Sequence, residues 1–291
     1  MVELDVEAID YERFSNRQLA AGPLVLMLLA LLVIGGWYAA TGAPVDPGIE
    51  FTGGVELRVE APGGPDQIQS VFDEEANAIR SVAGQADTYV VTFQVDDLSQ
   101  AQTLADRAES QGLTVLSTQS TSASFADSAQ RLAFLGVVVA FLGMSIVVFL
   151  LFRTAIPSIA VVLSAFGDIV VPIAVMNLVG IQLSLGTVAA LLMLIGYSVD
   201  SDILLNNHIL RRSGGFYEST YRAMETGVTM TLTSLSASIV MAIVASVFGI
   251  GLLAAIGTVL AIGLAVDLVN TYLLNLSLLR RYRGLDGGAN A

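Results

Sequence analysis

The chain has 291 residues, 54% of them hydrophobic and only 13% charged, and its mean hydropathy is +0.72. A soluble domain carries about 25% charged residues, so this is the composition of a polytopic membrane protein. The net charge is −13, every basic residue is an arginine, there is no cysteine, and His208 is the single histidine. That excludes disulfides, thiolate or histidine-based metal sites, and a basic patch for nucleic acid. An acid-rich, lysine-free chain suits very high salt, where ordinary screening is saturated, and points to a halophilic archaeal source.

Residues 1–21 are polar and acidic and lack the short basic region of a cleavable signal. They read as a cytoplasmic N-terminus before a retained anchor at 22–40. Runs of about 20 apolar residues can span a bilayer, and five more follow, at 131–152, 156–179, 184–210, 227–248 and 251–279. Together they predict a polytopic α-helical membrane protein with one helix, then a five-helix domain over 131–279, and a cytoplasmic tail at 280–291. Arginines flank the spans at 13, 17, 153, 211, 212, 222, 280, 281 and 283, with Arg131, at the outer end of the second span, the one flanking arginine apart from these. Six alternating spans place all of these on one side, which the positive-inside rule makes cytoplasmic. Both termini are then cytoplasmic.

The polar stretch 43–128 between the first two spans is expected to be extracytoplasmic. Its fourteen acids against Arg58, Arg80 and Arg107 leave eleven net negative charges there. Val55-Glu-Leu-Arg-Val59 alternates as a strand does. Pro62-Gly-Gly-Pro-Asp66 is a turn ahead of a helix at 67–82, and Thr88–Phe93 is a second strand. A helix from Asp97 to about Gln111 and a strand from Leu113 complete a β-α-β-α-β order. This fits a ferredoxin-like α+β domain with one strand missing or hidden. It holds no clustered nucleophile and base, so it reads as a binding or force-transmitting module.

The chemistry lies in the spans. Asp168 sits mid-span in the third, Asp200 in the fourth and Asp267 in the sixth, with Asp202 slightly nearer the cytoplasm. Asp200 is ten residues from Leu210, about 15 Å deep at 1.5 Å per residue. A carboxylate there costs roughly 2.5–3.5 kcal/mol on insertion scales. No arginine lies near the midplane to neutralise Asp168 and Asp200, so these two must be protonated, share a proton, bind a cation or touch water, and they are the leading relay pair. The four form a candidate ion relay. Asp202 also reads as a solvated vestibule residue, and Asp267 as a structural hydrogen-bond partner. Tyr197, Asp200 and Asn207 share a helix face, and Thr229, Thr233 and Ser234 add hydroxyls from the fifth span, a candidate polar interior. Such hydroxyls often only bond their own helix backbone. His208 reads as interfacial.

Particular motifs carry a resemblance. Ile49-Glu-Phe-Thr-Gly-Gly54, through Phe51, Gly53 and Gly54, resembles the D-F-x-G-G signature of the SecD/SecF family, with Glu50 where aspartate is usual. Ile195-Gly-Tyr-Ser-Val-Asp200 resembles that family's I-G-Y-S signature at Gly196, Tyr197 and Ser198, and Thr233-Ser234 its T-S pair. The chain is identified as resembling SecF-type members, half of a resistance-nodulation-division arrangement. It departs from them in two places. Val199–Leu205 is more similar to the V-D-A-N-V-L-I of SecD, and Thr229 stands where bacterial members carry a functional arginine. The resemblance implies a non-enzymatic accessory subunit of the Sec translocase in the cytoplasmic membrane, without cofactor or metal. Its implied partners are SecD, the Sec channel, exported polypeptides, H⁺ or Na⁺, and lipid. Two rival readings are a small-molecule or lipid exporter of the resistance-nodulation-division superfamily and an intramembrane aspartyl protease. The protease is disfavoured by Ala165, which stands where a G-x-G-D motif needs glycine.

Overall fold

The computed structural model describes residues 10–72, 76–82, 85–95, 99–211 and 215–285. A 3₁₀ turn at Tyr11–Arg13 precedes α1 (Asn16–Thr41), which opens on a capping box. In that box the Ser15 hydroxyl accepts from the Gln18 N–H, and the Gln18 side chain reaches back to the Ser15 N–H, satisfying two donors that a helix start leaves open. Gly42, left-handed at φ +80°, ends the helix. The short α2 (Ile49–Thr52) leads into β1 (Gly54–Glu60).

The α+β domain continues with α3 (Gly64–Phe72), β2 (Ala78–Ser81), β3 (Thr88–Phe93), α4 (Gln100–Ser110) and β4 (Thr114–Thr121). The sheet order is β2-β3-β1-β4, with every neighbouring pair antiparallel. This β-α-β-β-α-β chain is the ferredoxin-like order. The expected helix over 67–82 is corrected: it ends at Phe72, and its second half supplies β2, the strand missing from the sequence reading. In β1, Val55, Leu57 and Val59 are fully buried while Glu56 and Arg58 face the other way, the two-residue period of a one-sided sheet. Ile68, Phe72, Phe93, Leu104 and Ala108 close that core, with the Phe72 and Phe93 rings edge-to-face at 4.8 Å.

Among the described residues, six helices are long and apolar enough to cross a membrane: α1, α5 (Ala123–Phe152), α6 (Ala155–Val179), α7 (Leu185–Arg211), α8 (Phe216–Val247) and a last helix over Gly251–Tyr282. The last is built from α9 (Gly251–Val269), a π-helical segment (Asn270–Asn275) and α10 (Leu276–Tyr282). Burial ranks them. The most apolar window of α6 is 67% buried, against 6% for α5 and 17% for α8. α6 is thus the central helix, packed on α1, α7 and α9, while Leu132, Phe134, Leu135, Val139 and Leu142 of α5 point outward, as suits lipid. α8 and α9 approach closely at Gly257, where an added Cβ would lie 2.7 Å from the Ala242 nitrogen, the small-residue contact of membrane helices.

Two attachments fix the α+β domain to the helices. The segment before α2 pairs with the α6–α7 turn: Leu183 N–H donates to Asp46 O (2.7 Å) and Gly48 N–H to Leu183 O (2.8 Å). Asn177 Nδ2 donates to Pro44 O (2.9 Å), and the Glu50 carboxylate accepts from the Leu185 N–H at the start of α7. On the other side, Arg58 Nη1 donates to Gly249 O (2.6 Å) in the α8–α9 turn. Arg58 Nη2 also holds Gln85, whose Nε2 donates to Ser246 O (3.0 Å). At the opposite end of the helices Tyr11 is fully buried and donates to Met224 Sδ, while Arg280 donates to the carbonyls of Tyr11 and Phe14. Burial, and Tyr221 beside it, push the Tyr11 hydroxyl up from its ordinary range, so it stays a neutral donor.

Candidate functional site

The polar faces of α6, α7 and the last helix meet in one buried network. Asp168 on α6 is 1% exposed. Ser198 Oγ of α7 donates to its Oδ2 and Asn270 Nδ2 to its Oδ1, each at 2.6 Å. Asp202 on α7 is fully buried, and Thr271 Oγ1 (2.8 Å) and Asn275 Nδ2 (2.7 Å) both donate to its Oδ1. Asp267 on α9 accepts from Ser201 Oγ at 2.9 Å and lies 3.2 Å from Thr271 Oγ1. A threonine hydroxyl has one proton to give, so Thr271 serves Asp202 or Asp267 at any moment and links the two.

Local helix geometry brings these groups together. Ser198, Asp202 and Asn206 follow one another at i,i+4 on α7, so they stack on a single face, and Asn206 Nδ2 donates to the Asp202 carbonyl at 2.7 Å. The π-helical turn over Asn270–Asn275 is wider than an α-turn. It lets Asn270, Thr271 and Asn275 all face the aspartates; the three are 3%, 0% and 0% exposed. Gly167 leaves room for Asn270, since a Cβ there would sit 2.7 Å from the Asn270 Nδ2. All these donors are neutral. Three carboxylates buried among neutral donors are stable only where protons or cations offset their charge.

Asp200 is placed differently. It is exposed on this chain, as is Tyr197 at 42%, and Asn207 is half-buried. Residues 200 and 202 lie about 200° apart around a helix, so only one of them can face the bundle interior, and α7 turns Asp202 inward. Asp200 and Tyr197 instead line a cavity of about 210 Å³ between α7, α8 and α9, with Thr231 and Ser234 from α8 and with Ser201 and Asp267 from the network. Asp200 and the network therefore face one cavity. Thr229 and Thr233 lie on the exposed side of α8, their hydroxyls donating to Glu225 O and Met230 O of the same helix. His208 is buried, with Nδ1 2.8 Å from Leu204 O.

The network includes hydroxyls that sequence reasoning passed over: Ser164, Ser201 and Thr271. In a chain rich in membrane serines and threonines, nothing in their spacing sets them apart. The i,i+4 series through Ser198, Asp202 and Asn206 was the available signal for the buried face of α7. Among the described residues, no group of three or more His, Cys, Asp or Glu is arranged to hold a metal ion.

The motif after the first helix has a structural role. Phe51 is buried with Ala129 and Val188. Gly53 and Gly54 have φ of +76° and +107°, and a Cβ on Gly54 would lie 2.2 Å from Phe93 O. Only glycine fits a corner where β1 passes this close to β3. Gly196 is exposed, and nothing within 4 Å of its position explains it.

Comparison with known proteins matches residues 101–284 to the family model described as protein export membrane protein SecD/SecF, C-terminal. The protein-export membrane protein SecF of Haloferax volcanii is 62% identical over 97% of this chain and 98% of its own length. That of Haloquadratum walsbyi is 59% identical over 97% and 98%, and that of Methanocaldococcus jannaschii 37% identical over 89% and 93%. The crystal structure of SecDF, a translocon-associated membrane protein from Thermus, superposes with a TM-score of 0.73 at 21% identity. It matches 92% of this chain, which spans 38% of that chain's length; at this identity the likeness shows the fold. These matches agree with six apolar helices, an α+β domain between the first two, and a lysine-free acidic chain close to haloarchaeal relatives. This chain is a multi-pass membrane protein and belongs to the SecF family of protein-export membrane proteins.

Proposed function

We propose that this protein works with a SecD partner and the Sec channel to promote polypeptide export across the cytoplasmic membrane, and that an H⁺ or Na⁺ gradient drives it through the Asp168–Asp202–Asp267 network. The observation that carries this reading is the burial of three carboxylates, on three helices, among neutral donors only. A chain that served only as a passive anchor would gain nothing from such groups, which are costly at membrane depth. Asp200, Tyr197, Thr229 and Thr233 face out from α7 and α8. Polar groups on an outer helix face suit a covering partner rather than hydrocarbon, and this is the face we assign to SecD. The arginine distribution supports cytoplasmic termini, with residues 43–128 extracytoplasmic as the module that holds or releases emerging polypeptide. The reading is of a transport subunit, not a catalyst.

The test is made in the source organism or a close haloarchaeal host. Asp168→Asn and Asp202→Asn are expected to slow export of signal-bearing proteins about tenfold without loss of the protein from the membrane. Export at the wild-type rate in both variants would remove the relay. Tagged protein from mildly solubilised membranes is expected to bring down a larger SecD-like chain in near-equal amount, and recovery of the protein alone would count against the assembly.

A further inference from the structure

α5 and α6 are joined by a turn of two residues, Arg153 and Thr154, and touch along a seam where Val148 and Phe152 pack on Val161. Beside that seam the two helices leave a groove of about 440 Å³. Phe141 and Phe149 of α5 and Ile159, Val162 and Phe166 of α6 line it, and Phe149 and Ile159, both more than half exposed, open it to the outside. The Phe141 and Phe166 rings meet edge-to-face at 6.5 Å and close the end farthest from the turn. The two serines on its wall add no polarity. Ser145 Oγ donates to Phe141 O (2.7 Å) and Ser158 Oγ to Thr154 O (2.8 Å), so the groove is lined almost wholly by carbon. Small side chains at Ala155 and Ser158 leave the recess at the turn end. From Ala155 to Phe166 is eleven residues, about 16 Å along a helix, which is roughly half the hydrocarbon thickness of a bilayer. The groove has the length of one leaflet.

Arg153 stands at the open end. It is exposed, and among the described residues it makes no ion pair. It caps α5 in the left-handed conformation, at φ +53°, where glycine or asparagine is at home. An arginine held in such backbone points to a use for its side chain. We propose that an anionic phospholipid binds here, from the leaflet on the side of the chain termini, with one hydrocarbon chain in the groove and its phosphate on Arg153. A guanidinium matches phosphate oxygens two at a time. The start of α6 adds to this: the Thr154 hydroxyl turns back to Phe152 O instead of capping the helix, and the open N–H groups of a first turn favour an anion. A leaflet-long apolar groove ending in one cation at the interface matches the two halves of a lipid. The bound chain would fill the space between α5, whose most apolar window is only 6% buried, and the central helix α6. The site rests on neither the ion path nor the export reading.

The experiment uses the full-length protein, with whatever partner copurifies, in phosphatidylcholine nanodiscs holding a trace of photoreactive phospholipid. The probe carries a diazirine midway along one chain and either a phosphatidylglycerol or a phosphatidylcholine headgroup. Mass spectrometry of the digested protein locates the labelled residues. The phosphatidylglycerol probe is expected to label residues 141–166 about fivefold more than the phosphatidylcholine probe, the gain that one arginine at the surface gives an anionic lipid. Arg153→Asn suits the left-handed backbone and is expected to abolish that preference. Ala155→Trp fills the groove from an exposed position and is expected to lower labelling by both probes. Arg17→Gln removes an exposed arginine of α1 at the same end of the helices and is expected to leave the preference intact. Equal labelling by the two probes, a preference kept in Arg153→Asn, or unchanged labelling in Ala155→Trp overturns the site. A preference lost equally in Arg17→Gln overturns it as well, since that is general attraction to a basic surface. Crosslinking to a copurified membrane chain instead of lipid would show a partner helix in the groove and overturn it too. Should Arg153→Asn not fold, the two headgroups on the wild type and Ala155→Trp decide.

Discussion

At the scale of single residues, two positions on α7 decide which aspartate enters the bundle. Sequence reading favours Asp200, deeper in the span, over Asp202, which reads as a solvated vestibule residue; the structure reverses the two, although the face shared by Tyr197, Asp200 and Asn207 looks as polar as that of Ser198, Asp202 and Asn206. The second face is the buried one because α6 and the last helix present matching groups to it: Asn270 beside Ser198 on Asp168, and Thr271 and Asn275 on Asp202. Those matches join residues 30 to 102 apart in the chain, beyond any local pattern. Ser198 was legible as a family motif, and the structure gives it a bond to a buried carboxylate. Ser198→Ala keeps the volume nearly unchanged and removes that donor. We expect it to lower stability by about 1–3 kcal/mol, read by thermal unfolding in nanodiscs. Ser236→Ala is the control. Its hydroxyl donates to Leu232 O on the exposed side of α8, and its loss should stay within about 0.5 kcal/mol. Equal losses in the two variants would mean that Ser198 is only another self-bonded hydroxyl.

At the scale of elements, apolar length announced the spans, since hydrocarbon admits only segments that satisfy their own backbone. The helices extend beyond those runs: α5 begins at Ala123 and α8 at Phe216, where polar turns carry them outside the apolar stretch. β2 was hidden because its four residues follow a helical pattern without a break in periodicity and find their partner only in β3. Strand pairing, not propensity, makes such a segment a strand. The π-helical turn was equally illegible, because its extra width shows only against its neighbours. The Gly53-Gly54 corner, by contrast, was legible as part of a family motif. Gly54→Ala forces a Cβ to within 2.2 Å of Phe93 O at a φ of +107°. Its expected cost exceeds about 2 kcal/mol, seen as lost protection of β1 and β3 amides in hydrogen exchange. Gly42→Ala, left-handed but with open space around it, should cost about 1 kcal/mol. If Gly54→Ala were as mild, the close approach of β1 to β3 would not be what selects glycine.

For the whole molecule, the two attachments of the α+β domain differ in kind. The segment before α2 is tied to the α6–α7 turn through backbone pairing at Leu183 and Gly48. The other side rests on two side chains, Arg58 and Gln85, reaching carbonyls of the α8–α9 turn. A displacement of the domain there pulls directly on the turn that begins α9, the helix carrying Asp267. Arg58→Ala removes a charge-assisted bond worth about 1.5–3 kcal/mol. It should speed amide exchange in the α8–α9 turn about tenfold or more while leaving the α6–α7 turn unchanged. Equal acceleration at both turns would instead mean that the domain is held as one rigid unit.

Composition and periodicity by themselves determined the class of this protein, its six apolar spans and the place of its polar domain, because lipid imposes length and apolarity locally, residue after residue. The motifs that resemble the SecD/SecF family were likewise local and carried the family. Only the tertiary structure decided which carboxylates share a network, which oxygens of Asp202 are paired, and that 78–81 is a strand. Each of those outcomes depends on groups from distant parts of the chain meeting in one place, and rotation of a helix by a single residue, about 100°, is enough to exchange one candidate for its neighbour.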